Sequence, residues 1–175
     1  VHTAWVGVPG GRALGVLPAA PVPEDLNYDL WLGPAVWKPY RDGLCTYNWY
    51  FASDYCAGWI QSWGVHHVDI ALWGAPALAA SKLEVEGTAT FPDEGDGDVS
   101  YAWHTRLREP GGVLLDFSSD GEAKHGHGVR FEGDQGWVHV VRGGIRAEPA
   151  SLLETVLKPS DGHLYVSKEH QLNFL

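Results

Sequence analysis

Beyond Pro76 hydrophobic and polar residues alternate. Leu83 and Val85, then Val99, Tyr101, Trp103, Thr105 and Leu107, interleave with Lys82, Glu84 and Glu86 and with Ser100, Ala102, His104, Arg106 and Arg108. A period of two marks strands with one buried and one polar face. Turn residues cut the alternation at Pro92 to Asp98, Glu109-Pro-Gly-Gly112, Ser119-Asp-Gly121, Glu132-Gly-Asp-Gln-Gly136 and Arg142-Gly-Gly144. The spacing predicts about five or six antiparallel strands between Lys82 and about Ala147. Upstream, Thr3 to Val8 reads as a short strand, and the prolines and glycines from Pro9 to Pro23 read as a loop. A one-turn helix is expected over Tyr28-Asp-Leu-Trp-Leu32, capped by Asp25 or Asn27 and stopped at Gly33-Pro34. Trp37 to Tyr55 is aromatic without a period and predicts irregular chain wrapped on the core. A long helix is predicted from about Ile60 to Trp73, led in by Ser53 or Asp54 and closed by Gly74 and Pro76. Ala150 to Leu157 and Ser167 to Leu175 read as shorter helical segments, the second opening on a capping-type Ser167.

Composition narrows the class of partner. With 175 residues, 45% apolar and 19% charged, the chain reads as a single domain over 1–175 with a real core. Twelve basic and twenty-two acidic residues leave a net charge of −10, which repels phosphate backbones and anionic lipid, so neither nucleic acid nor a membrane is an expected partner. No apolar run approaches the ~20 residues of a membrane span, and Val1 to Val16 does not read as a secretion signal. The expected setting is cytoplasmic, with Cys45 and Cys56 as reduced, partly buried thiols. Nine tryptophans without a methionine supply broad rigid rings. Most are expected in the core or an interface, with about two left for a ligand site.

Several chemistries lack their motif. Gly7-Val-Pro-Gly10-Gly11-Arg12 fails the Gly-x-Gly-x-x-Gly spacing of a dinucleotide turn and runs into prolines, so no cofactor-binding residues are expected in this chain. No phosphate loop and no nucleophile elbow is present. No metal site is expected either: adjacent His66 and His67 point about 100° apart on a helix, His125-Gly-His127 sits in a turn, and Asp93 to Asp98 matches a calcium loop only in charge. What stands out is Gly58 to Trp73. Ser62, His66, Asp69 and Trp73 follow one another at steps of four, three and four, which puts a hydroxyl, an imidazole, a carboxylate and an indole on one helical face. By spacing alone this is either a sugar-handling or proton-transfer site, or a buried helix whose polar groups satisfy the backbone.

Six stretches, Pro21 to Pro34, Tyr47-Asn-Trp49, Asp54-Tyr55, Gly58 to Trp73, Val129 to Trp137 and Leu164 to Leu175, occur in an order that resembles the C-terminal domain of the Gfo/Idh/MocA (glucose-fructose oxidoreductase and inositol dehydrogenase) family. The resemblance implies an α+β domain whose open, mostly antiparallel sheet carries helices on one face and builds homo-oligomers through the other. It implies a sugar or polyol substrate, and an NAD or NADP cofactor held with a lysine by a Rossmann domain that this chain lacks. A separate nucleotide-binding domain is therefore a possible partner, and the chain alone is not expected to transfer a hydride. His66 matches the family's acid, base or orienting histidine, and Asp69 a carboxylate of the same motif. Ser62 stands where the family usually has aspartate, so a stand-alone, non-catalytic carbohydrate-binding or self-associating module is the competing reading. Tyr55 and Trp59 offer rings to a pyranose, and with His67 they complete the expected substrate contacts.

Overall fold

The predicted alternation folds as strands, and the N-terminal strand is drawn into their middle. A computed structural model describes residues 1–119, 123–163 and 165–175, with the side chain of His170 not described. Its strands are β1 (Thr3–Val8), β2 (Glu84–Thr90), β3 (Ala102–Arg108), β4 (Leu114–Ser119), β5 (Gly128–Gly133), β6 (Gly136–Val141) and β7 (Gly144–Glu148). They form one sheet of seven in the order β2-β3-β4-β1-β5-β6-β7. β1 runs parallel to β4 and antiparallel to β5, and the other neighbours are antiparallel. The domain is α+β with an open, mostly antiparallel sheet, as expected. Its strand count exceeds the expected range because β1, distant in sequence, inserts between β4 and β5. The turn at Asp120-Gly121 lies outside the described residues, as does Leu164.

The helices are α1 (Tyr28–Leu32), α2 (Trp59–Ser62), α3 (Gly64–Gly74), α4 (Ala77–Ala80) and α5 (His170–Phe174), with 3-10 turns at Asn48–Phe51 and Ala150–Glu154. Asn27 caps α1 by accepting from the Leu30 N–H. The long helix expected from Ile60 starts instead after Gly58, whose φ of 77° breaks the chain there, so Ser53 and Asp54 do not lead it in. It is split into α2 and α3 at Trp63, but Trp63 keeps helical angles (φ −80°, ψ −36°), which preserves the predicted face. α3 ends at Gly74, as expected, and past Pro76 a separate further turn, α4, follows. At the C-terminus Ser167 is not the cap of α5; Glu169 precedes it without a side-chain bond.

The core lies between the sheet and α3. On β1 every second residue points to the helices: Ala4, Val6 and Val8 are buried with Leu115, Phe117, Val129 and Trp103 from the sheet and Ala71, Ala75 and Leu78 from the helices. Of the indoles, Trp103 is buried at 2% exposure, Trp59 and Trp63 pack against the core's edge, and Trp37 and Trp73 are exposed. Both cysteines are free and half-buried. The opposite sheet face is polar. There Asp116, 3% exposed, lies 2.9 Å from His104 Nε2 and accepts from Arg106 Nε at 3.2 Å. Trp5 donates its indole N–H to Glu132 at 2.9 Å beside Arg130. Charged edge residues such as Glu84 and Glu86 on the fully exposed β2 discourage stray strand pairing.

Glycines at both ends let α3 approach closely. A Cβ on Gly64 would lie 2.8 Å from the Phe117 ring, and one on Gly74 would lie 2.3 Å from Phe131. Gly64→Ala therefore sets two effects against each other. Helix propensity favours alanine by about 1 kcal/mol, whereas overpacking a buried ring costs about 1–3 kcal/mol. The collision should win, and urea unfolding of Gly64→Ala should show a net loss of stability that Phe117→Leu in the same chain reduces. A variant more stable than the parent would show that the helix does not rest on Phe117.

Candidate functional site

α2 and α3 carry the predicted face outward, over two neighbouring cavities. The first, of about 310 Å³, is lined by Tyr47, Tyr50, Trp59, Ser62 and His66. The second, of about 560 Å³, is lined by His66, Asp69, Ile70, Trp73 and Val140. His66 and Arg142 border both and stand between them. Ser62 and His66 thus meet one space, and His66, Asp69 and Trp73 the next, as their spacing on one face requires.

Three separate segments build the first cavity. The 3-10 turn, anchored by Phe51 at 2% exposure, presents Tyr47 and Tyr50, whose rings lie 5.4 Å apart. Tyr47 stands edge-on to Trp59, with 6.5 Å between centroids and 85° between planes. Arg142 comes from the β6–β7 hairpin, where Gly143 takes the left-handed conformation (φ 80°) that a tight turn needs. Its guanidinium sits 5.0 Å from the Trp63 ring centre, a cation held on an aromatic face. Sequence reasoning missed Tyr47, Tyr50 and Arg142 as site residues. The tyrosines lay in an aperiodic aromatic stretch and the arginine in a turn, and nothing local ties either to Ser62 or His66.

The remaining expected contacts lie elsewhere. His67 is 3% exposed and reaches only the floor of the second cavity. Its Nδ1 lies 3.4 Å from the Trp63 carbonyl, and its ring packs 4.7 Å from that of His127. Burial lowers its pKa, against the opposing contact with the Trp63 carbonyl, and the neighbouring His127 adds to the lowering. Tyr55 lines neither His66 cavity; it packs 4.9 Å from Trp31 in a neighbouring space. Trp59 alone of the three expected substrate contacts shares the cavity of Ser62 and His66. Among the described residues no three His, Cys, Asp or Glu side chains gather as a metal would need. A hydroxyl, an imidazole and a guanidinium amid tyrosine and tryptophan rings suit a small polyhydroxylated molecule, with flat faces to stack on its C–H groups and a few donors and acceptors for its hydroxyls.

A Gfo/Idh/MocA model, described as an oxidoreductase family, C-terminal alpha/beta domain, matches residues 4–138. No curated protein and no solved structure matches the chain.

The buried His67 has a consequence for pH. A histidine harder to protonate folded than unfolded leaves stability whole above the unfolded pKa of about 6.5, and stability falls as pH drops through that value. His125, lowered by its burial and then by Arg130, acts in the same direction. The urea midpoint should be flat above about pH 7 and fall toward pH 5.5, still above the range where carboxylates titrate. His67→Gln should make the fall shallower. A midpoint that rises on acidification would show His67 charged and paired in the fold.

Proposed function

The chain belongs to the Gfo/Idh/MocA oxidoreductase family as a C-terminal α/β domain, and from that membership we propose that it is the substrate-binding and oligomerising part of a sugar or polyol oxidoreductase using NAD or NADP. The observation that carries this reading is the first cavity, where Ser62 and His66 face a space of about 310 Å³ walled by Tyr47, Tyr50 and Trp59. That size falls at the lower end of small-molecule sites, which run from about 300 to 1,000 Å³. A sugar ring stacked there would bring a hydroxyl to His66.

Oxidising a secondary alcohol removes a proton from oxygen as hydride leaves carbon. The task assigned here to His66 is to take or hold that proton, within hydrogen-bond reach of the reacting oxygen. Ser62 would donate to or accept from a neighbouring hydroxyl, and Arg142 would add charged donors at the boundary between the cavities. Asp69 would act from the second cavity, at the far side of His66. The residues of this domain do not fit the dinucleotide itself. β1 leads into Pro9 and a loop, so no helix N-terminus follows β1 to receive a pyrophosphate. A separate nucleotide-binding domain would supply that site and its lysine. No helix of the described residues is long and apolar enough to cross a membrane. The free thiols Cys45 and Cys56 suit the cytoplasmic setting of this proposal.

Ser62 supports a second reading. A serine holds no charge at neutral pH where the resemblance calls for aspartate, which favours a domain that binds sugar without turning it over. Ser62→Asp separates the two when the protein is assayed with its nucleotide-binding partner: turnover that appears or rises supports the oxidoreductase, and unchanged inactivity supports the binding module.

Sugars and polyols should shift the imidazole signals of His66 in a proton-detected titration. His66→Ala should abolish the effect on the remaining cavity signals with little change in melting temperature, because the side chain is exposed and meets only the partly buried Trp63 ring edge-on. A large drop in stability without any ligand response would defeat this assignment.

Assembly through the polar sheet face follows from the same proposal. The ordered network of Trp5, Arg130, Glu132 and Trp137, with Arg130 4.1 Å from the Trp137 ring centre, offers a preset surface to a second copy. Light scattering at micromolar concentration should give a dimer or larger, and Arg130→Glu should dissociate it. A strict monomer at every concentration removes this interface.

A further inference from the structure

A second aromatic cavity lies beside the first, across a shared wall. It measures about 510 Å³ and is lined by Trp31, Trp49, Asp54 and Tyr55 over an apolar floor that includes Leu32 and Pro34. The wall is the stacked pair of consecutive residues Trp49 and Tyr50, 3.9 Å apart with planes at 22°: Trp49 lines this cavity and Tyr50 the cavity of His66.

Its rings are held in place before any ligand arrives. Tyr28, 6% exposed, donates its hydroxyl to the Lys38 carbonyl at 3.0 Å and stacks on Trp31 at 5.9 Å and 15°. Burial, with Tyr55 beside it, pushes the Tyr28 hydroxyl pKa up to about 12, so it remains a donor. Trp31 meets Tyr55 on its other flank at 4.9 Å and 60°. Asp54 is ion-paired with Lys38, which puts an acceptor and a donor side by side at the rim. Fixed tryptophan faces beside a carboxylate match a sugar ring, whose C–H faces stack while its equatorial hydroxyls bond outward. The acidic chain, at −10, favours a neutral sugar over a phosphorylated one.

We infer that the substrate is a short oligosaccharide: one ring enters the cavity of His66, and the sugar unit two along sits beyond the Trp49–Tyr50 wall between Trp31, Trp49 and Tyr55, because two stacked rings are too thick for directly linked units to face both sides. This rests on the assignment of the His66 cavity to a sugar. It also gives Tyr55 a place, two rings farther out than its expected contact with the reacting sugar.

The test is calorimetric titration of the 175-residue chain with glucose, maltotriose and cellotriose, read beside the imidazole signal of His66. One of the two trisaccharides should bind at least about ten-fold tighter than glucose, a gain of about 1.4 kcal/mol. Trp31→Ala should reduce its affinity to that of glucose while glucose still shifts His66, which also shows that the variant is folded. Asp54→Asn, a smaller change, should remove part of the gain. Trisaccharides that bind no tighter than glucose, or an advantage that survives both substitutions, overturn the inference and leave the sugar reading of the His66 cavity standing. If none of the three sugars moves His66, that reading fails and this one fails with it.

Discussion

Everything at the site depends on how closely α3 lies against the sheet. Gly64 and Gly74 sit where Phe117 and Phe131 occupy the space of a side chain, and Ala71, fully buried, faces β1 between them. Small residues at these points bring the helix axis down onto the strands and also fix its rotation. Two adjacent histidines then receive opposite fates. His67 turns inward against Trp63 and His127, and His66 turns outward to the cavities. Rotation by one residue would exchange a buried imidazole for an exposed one, and with it the chemistry each can do.

Around that helix the aromatic chain from Trp37 to Tyr55 does more than cover the core. Its 3-10 turn buries Phe51 as a peg and leaves Tyr47, Trp49 and Tyr50 half-exposed or exposed around it. The turn lets the rings of consecutive residues stack on one another and still face different cavities, which a strand cannot do because its consecutive side chains point to opposite faces. Trp49 and Tyr50 stack on one another and line different cavities, so one short turn borders two separate spaces of about 510 and 310 Å³. The tryptophan-rich composition is spent largely at this periphery and much less on the deep core, where Trp103 is buried.

The two sheet faces divide labour by the same alternation. Residues such as Ala4, Val6 and Val129 close the core, and their neighbours Trp5, Arg130 and Glu132 build a charged network on the far side. Asp116 is buried in that network between His104 and Arg106, a carboxylate kept by two partners where a lone charge would be costly. A face arranged this way is specific in what it can pair with, because any covering surface must leave those bonds intact or replace them.

Local chemistry was enough to read the strands from Lys82 to Ala147, the one-turn helix at Tyr28, and the alignment of Ser62, His66, Asp69 and Trp73. Each depends on a period of two or 3.6, or on a cap or turn residue acting within a few positions; the family came separately, from the resemblance of the quoted stretches, of which all but Leu164 to Leu175 lie within the matched residues 4–138. Tertiary structure decided the rest. β1 pairs with β4 and β5 more than a hundred residues away, Arg142 reaches His66 from a distant hairpin, and Tyr55 moves out of the site because it packs on Trp31. No pattern along the chain encodes these meetings. They arise when burial of the core brings separate segments together, and which ring then faces which cavity is settled by packing among side chains far apart in sequence.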